Sequence, residues 1–299
     1  MNTCATTLAT LQQYQQRFAR VLAYIDAHPE ASLSIDSLCA IAAFSRHHFH
    51  RQFSAYIGMS AYKYVQFTRM RRASWQLAFR DEPVGEVGVA AGYAAAEAFA
   101  RAFRQFSGQS PSEFRSAPDW SEWHSRFQPF LTLRKTIMQA KLSLSDVRLV
   151  AFPTTRLAHV EHRGNPIHLG ETIRNFIRFR KQHKLSPPIS STFNLVYNDP
   201  DETPPEDFRF GIGAAIDRAV PANDLGVTEF LIPAGRCAVL RHHGSDDRLG
   251  EAIRYLYADW LPGSGEETRD FPLFMQRVRF FPDVPEAEAI TDIYLPLAS

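Results

Sequence analysis

Arg46, His47, His50 and Arg51 fall on one side of a helical stretch whose other side carries Phe49 and Phe53, four residues apart. Arginine pairs bidentately with guanine O6 and N7, and histidine donates or accepts at base edges and phosphates. Fifty residues on, the pattern returns: Phe99, Arg101, Phe103, Gly108 and Ser110 stand where Phe49, Arg51, Phe53, Gly58 and Ser60 stood. A short helix, a tight turn and a second amphipathic helix make the helix-turn-helix unit, whose second helix lies in a DNA major groove. Two such units in one chain imply two adjacent major-groove segments on an asymmetric double-stranded site. Covalent chemistry has no such signature. There is no His-Glu-X-X-His, no Cys-X-X-Cys, no Gly-X-Ser-X-Gly and no phosphate-cradling glycine loop, so no catalytic residue, metal or cofactor is expected.

A chain of 299 residues implies two or three domains, and 45% hydrophobic content is ordinary for packed cores. The net charge of +1 hides an asymmetry: residues 1–115 carry 12 Lys and Arg against 8 Asp and Glu, while the rest carries 21 against 24. That balance suits a DNA-binding module joined to a part that does not touch DNA. No apolar run reaches membrane-spanning length, no secretory leader is evident, and the 3 cysteines are widely separated. A reducing cytoplasm and no membrane partner are expected.

The positioning elements are legible. Phe18, Val21, Leu22 and Ile25 continue an apolar stripe from Leu11 and Tyr14 that stops before Pro29. Ser34 caps the next short helix and Ser45 the one after the turn. Residues 61–79 read as a long helix linking the two units. Residues 116–142 hold Trp120, Trp123, Phe127 and Phe130, too aromatic for a flexible tether, and read as an ordered linker packed on one domain or the other.

A second repeat occupies the C-terminal half. Shifted by eighty, residues 153–174 and 233–254 agree at ten of twenty-two positions, including His162/His242, Gly164/Gly244 and Glu171/Glu251. Each copy reads as strand, helix and strand pair, with the pairs at 193–197 and 208–216, and at 273–281 and 289–295. The expected fold is multidomain: an all-α double helix-turn-helix domain, 1–115, the linker, and an α+β domain, 143–299, made of a duplicated β-α-β-β unit. The repeated histidines argue for a structural hydrogen bond in each copy rather than a catalytic pair, and the repeated glutamates for helix starts.

Gly92-Tyr93, Phe99, Arg101-Ala102-Phe103, Gly108-Gln109-Ser110-Pro111 and Phe114-Arg115 closely resemble the signature of the AraC/XylS family of bacterial transcription regulators. The resemblance covers about residues 10–115. It implies base contacts at His47, His50 and Arg51 in the first unit and at Ala96, Glu97 and Arg101 in the second, and a role in activation. Ser45, Arg46 and Lys63 then suit phosphates. Ala94-Ala95-Ala96 offers only methyl groups and Glu97 faces a negative groove, so the second unit is expected to bind weakly or to lie on the backbone.

Asn198-Asp199-Pro200, Thr203-Pro204, Phe208-Arg209, Ile232-Pro233-Ala234-Gly235, His243-Gly244, the run 260–265 and the run 291–297 resemble the GyrI-like small-molecule-binding domain, over about residues 143–298. That resemblance implies an amphipathic organic effector in a cleft between the two halves, with Phe193, Tyr197, Phe210, Trp260, Phe274, Met275 and Arg277 as candidate lining. Where such domains often carry a carboxylate this chain has Met275, and where a nearby aromatic is usual it has Arg277. A neutral or anionic effector is therefore expected. RNA polymerase is a further candidate partner. The alternatives are a small-molecule hydrolase, which the missing acid disfavours, and a protein that touches a topoisomerase or polymerase.

Overall fold

The computed structural model describes residues 16–28, 33–137 and 146–298, without the side chains of residues 47 and 135–137. By packing, the chain divides into a helical unit, Met1–Gln139 together with Phe281–Ala287, and a sheet unit, Ala140–Phe280 together with Glu288–Ser299.

In the helical unit, α1 (residues 16–27 are described) turns Phe18, Val21, Leu22 and Ile25 fully inward. The ends of that expected stripe, Leu11, Tyr14 and Pro29, lie outside the described residues. α2 (Ile35–Ala42) starts where the Ser34 hydroxyl accepts the Ser37 N–H at 3.1 Å, and it ends at Ala43, held left-handed at φ 52°. α3 (Arg46–Ile57) buries Phe49, Phe53 and Ile57 and stops at Gly58, φ 81°. α4 (Ala61–Phe79) has 19 residues, about 28 Å of helix. α5 (Val84–Ala90) and α6 (Ala96–Ser107) repeat the α2–α3 pair. Gly88 lets them approach, since a Cβ there would stand 3.0 Å from the Phe99 ring. α7 (Pro111–Ser116) opens with a reciprocal cap between Ser110 and Glu113.

The stretch read as a linker is largely helix. α8 (Trp120–Ile137) buries Trp120, Trp123, Phe127 and Phe130 in the helical unit. Phe130 stacks on Phe67 at 5.2 Å, and the Trp123 indole N–H donates to the Ser74 hydroxyl at 2.9 Å. Residues 138–142 of the expected linker lie outside the described residues. The packed helical unit therefore runs well past residue 115, because the aromatic side chains of α8 complete its core.

One charged cluster is sealed inside this unit. The Arg134 side chain is 0% exposed. It donates to both Asp26 oxygens at 2.8 and 2.9 Å, to the Tyr64 hydroxyl at 2.8 Å and to Glu286 Oε2 at 2.5 Å. Glu286 Oε1 also accepts from Arg71 at 2.8 Å. Nearer the surface, Arg80 makes a two-pronged bond to Asp283 at 2.6 and 2.9 Å.

In the sheet unit, each copy of the repeat forms as read: β2 (Thr155–Arg163), α9 (Leu169–Gln182), β3 (Thr192–Val196) and β4 (Arg209–Ala215), then β6 (Gly235–His243), α10 (Leu249–Tyr255), β7 (Leu273–Arg279) and β8 (Ile290–Pro296). After α10 the helix continues through a π turn, Leu256–Trp260, into α11 (Leu261–Ser264). Two further strands, β1 (Val147–Phe152) and β5 (Thr228–Ile232), were not read from the sequence. They are exchanged: β1 pairs with β6 of the second copy, and β5 with β2 of the first. All pairings are antiparallel, in the order β1-β6-β8-β7-β3-β4-β2-β5.

The sheet is strongly curled. Phe152 on β1 and Phe274 on β7 are three strands apart, about 14 Å in a flat sheet, yet their rings lie 4.8 Å apart. Phe152, Leu157, Phe193, Leu195, Ile232, Cys237, Val239 and Phe274 fill the inside of the curl. The helices cover the other face. Ala238, Leu240, Met275 and Ile293 pack with Ala252 and Leu256 at α10, and Ala158, Ile212 and Ala214 pack with Phe176 and Phe179 of α9. Gly211 and Gly213 keep room for the inner layer: a Cβ at Gly211 would stand 2.6 Å from His159 Nε2 and 2.9 Å from Leu195 Cβ. Gly211→Ala is expected to lower stability by about 1–3 kcal/mol through overpacking, read as a lower midpoint in denaturant unfolding, whereas Gly263→Ala, with open space at its Cβ, should change little.

Candidate functional site

On α3 the inward faces of Phe49 and Phe53 push the opposite side to solvent. His50 and Arg51 are exposed there, and Ser45 at the N-cap makes no side-chain cap bond. Arg46 is exposed too, but it donates to Asp36 at 2.8 Å across the turn. That pair steadies α2 against α3, and as a surface pair it contributes little stability. The side chain of His47 lies outside the described residues.

On α6, Ala96, Glu97 and Arg101 are exposed on one side, with Phe99 and Phe103 buried on the other. Arg104 and Gln105 are exposed beside them and were not singled out in the sequence. The helical spacing from Arg101 carried the signal, since residues three and four apart share a face. Arg104 bonds Glu113 at 2.9 Å. The Ser110 side chain and N–H, with Arg104, hold the Glu113 carboxyl down to about 2. So α6 presents Arg101, Gln105 and the Glu113-paired Arg104 past its alanines, while α3 presents histidine and arginine.

The seven candidate effector residues do not share a face. Phe193 and Phe274 point inside the curl, where they are core, and Tyr197 sits at its rim beneath the Arg209 guanidinium at 4.5 Å. Phe210, Trp260 and Met275 belong to the helix-covered face. The reason is the period of a strand: neighbours such as Phe274 and Met275 must point to opposite sides. Arg277, two residues beyond Met275, shares its side and bonds Asp246 at 2.6 Å, so its charge is already balanced. At the centre of the sheet, on the helix side, Asn194 of β3 is in register with Met275 of β7, and the Asn194 amide donates to the Gly211 carbonyl at 3.3 Å.

Other polar groups mark the inner face. Glu161 bonds Arg209, which holds its carboxyl below the usual range, and Asp292 takes a two-pronged bond from Arg241 at 2.7 Å. His162 and His242 lie on the helix side at equivalent strand ends. Nε2 of each donates to a backbone carbonyl, Asn165 at 3.2 Å and Ser245 at 2.9 Å, and His162 Nδ1 accepts from the Thr172 hydroxyl at 2.8 Å. Each tie closes the turn that follows Gly164 or Gly244, held at φ 104° and 105°.

Comparison with known proteins follows this division. The GyrI-like small molecule binding domain matches residues 145–298, and a helix-turn-helix domain matches residues 38–117. The first match covers half of the chain, and the chain belongs to the GyrI-like family. The helix-turn-helix match falls on the part of the chain, α2 to α7, whose residues resemble the AraC/XylS signature. A protein of Escherichia coli (strain K12) named as probable transcriptional regulator YgiV is 36% identical over 154 residues, 51% of this chain and 96% of its own length. An uncharacterized HTH-type transcriptional regulator of Staphylococcus aureus (strain COL), SACOL0084, is 28% identical over 32% of this chain and 13% of its own length. Among solved structures, the EcmrR C-terminal domain covers 51% of this chain and 97% of its own at 17% identity and a TM-score of 0.43. The AdpA DNA-binding domain with a target DNA covers 36% and 93% at 28% identity and a TM-score of 0.32.

His159, 4% exposed on the inner face, is pushed by burial down to about 4, and burial likewise lowers His242. An unfolded chain takes up these protons near the ordinary value, about 6.5, before the folded one does. Stability of the sheet unit is therefore expected to fall as pH drops from about 6.5 towards 4, with His159 contributing up to about 3 kcal/mol. Denaturant midpoints measured across that window test this, and His159→Phe should flatten the dependence.

Proposed function

We propose that this protein is a cytoplasmic transcription regulator that reads an asymmetric double-stranded DNA site and is controlled by a small amphipathic molecule bound to its GyrI-like domain. The observation that carries the DNA half is the pair of equivalent helices, α3 and α6, each with a buried phenylalanine pair and an exposed arginine, Arg51 or Arg101. In this reading α3 supplies most of the base discrimination through His47, His50 and Arg51. Ser45, Arg46 and Lys63 hold phosphates, and α6 contributes Arg101 while Ala96 and Glu97 set what its groove segment tolerates. The small molecule acts by binding one state of the protein better than another, and so changes operator affinity or polymerase engagement. Activation is the direction the AraC/XylS resemblance supports.

For the effector we favour the helix side of the sheet. Asn194 and Met275 lie at its centre without a carboxylate, Phe210 adds apolar surface, and Arg277 stands already paired with Asp246. That chemistry suits neutral or acidic amphipaths, with methionine giving adaptable apolar contact. Selection from a random DNA pool should return an asymmetric motif of two blocks about one helical turn apart. His50→Ala and Arg51→Ala should each cost about 1–3 kcal/mol on that motif and relax base preference; equal losses on selected and random DNA would show that they only hold the backbone. A binding panel of decanol, decanoate and decyltrimethylammonium should rank the cation last, and a preference for the cation would refute this effector class.

A further inference from the structure

Residues 281–287 are the short connection between β7 and β8, two strands at the middle of the sheet, yet they pack as part of the helical unit. Their side chains are built into it. Phe281 meets the Trp75 ring edge-on at 6.2 Å, and Asp283 takes both prongs of Arg80. Glu286 is 6% exposed and bridges Arg71 on α4 and Arg134 on α8. Among the described residues, the groups that face this centre include Asp26 from α1, Tyr64 and Arg71 from α4, Arg134 from α8 and Glu286 itself. Among these described groups, Asp26 and Glu286 are acidic and Arg71 and Arg134 basic. Removing Glu286 would take away a carboxylate that Arg71 and Arg134 share, and breaking a buried ion pair is strongly destabilising. The same helices hold the reading elements: Phe53 of α3 packs edge-on against Tyr64, and Phe67 of α4 against Phe106 of α6.

We infer that the segment Phe281–Ala287 is a strap that makes the helical unit sensitive to the state of β7 and β8. Met275 lies on β7 six residues before the strap, and the strap's last residues lead directly into β8. A change in those strands, from a bound molecule or a substitution, pulls on Glu286 through a few covalently joined residues. It alters the seating of α4 and α8, and the effect reaches α3 and α6 through the core. The inference stands independently of which DNA or effector the protein binds.

The test uses the full chain and needs neither DNA nor ligand. Hydrogen exchange is followed in the α4 amides around Arg71 and the α8 amides around Arg134. Met275→Ala, on the sheet side, should speed exchange at those helical amides several-fold. In a Glu286→Gln background, where the helices already exchange faster, the further effect of Met275→Ala should vanish. Asp283→Asn, at the more exposed pair, gives the same comparison in milder form should Glu286→Gln fail to fold, and it should reduce the Met275→Ala effect by at least half. Unchanged helical exchange in Met275→Ala, or an effect equally large with and without the strap substitutions, would overturn the inference.

Discussion

Only two residues, Pro153 and Thr154, separate the end of β1 from the start of β2. In the sheet order, however, β1 is the first strand and β2 the seventh. Six strand spacings in a flat sheet come to about 29 Å, while the three-residue step from Phe152 to Thr155 reaches only about 10 Å. The sheet must curl until its two ends come together, and much of the rest of the unit depends on that closure. It encloses an inner layer of large side chains and brings Phe152 against Phe274 and Tyr294, rings that would otherwise be strands apart. It also makes glycine necessary at 211 and 213, where the enclosed His159, Leu157 and Leu195 leave no room for a side chain.

Closure also separates the duties of the two sheet faces. The middle of the inner face is packed with large apolar side chains, so its aromatics contribute stability through burial and ring packing. The helix-covered face keeps chemistry at its centre, where α9 serves one copy and α10 the other. The exchanged strands lock the copies together: neither half has its full complement of backbone partners without the edge strand that the other donates. A duplicated unit thereby becomes one continuous sheet rather than two tandem ones.

In the helical unit the corresponding constraint is electrostatic. Its core is apolar and rich in phenylalanine and tryptophan, which tolerates no unpaired charge, yet Arg134 is sealed within it. Such a group is stable only when its donors are matched, and Asp26, Tyr64 and Glu286 match them from three separate stretches of sequence. The cluster therefore ties the first helix, the long central helix, the former linker and the β7–β8 connection into one packing arrangement.

The helix-turn-helix pairs were readable because their information is local. The cap at Ser34, glycine stops at 58 and 108 and the Phe49/Phe53 and Phe99/Phe103 stripes each act within a turn or two of helix, although Ser45, also read as a cap, makes no side-chain cap bond. The β-α-β-β duplication was readable because ten identities at a fixed offset need no structure to be seen. Three things were not. Strands β1 and β5 are short edge strands whose identity comes from partners in the opposite copy, which no local pattern specifies. The candidate effector residues were chosen by type, and the strand alternation that puts Phe274 inside and Met275 outside became decisive only once the curl had set one face apart from the other. The charged strap joins Arg134 to a residue 152 positions away. Sequence alone determined the elements, their repeats and the side chains each presents, since those follow from nearest-neighbour sterics and periodicity. Which face is core, which strands exchange and which buried charges balance were decided by tertiary closure, because they depend on distances between residues that are far apart in the chain.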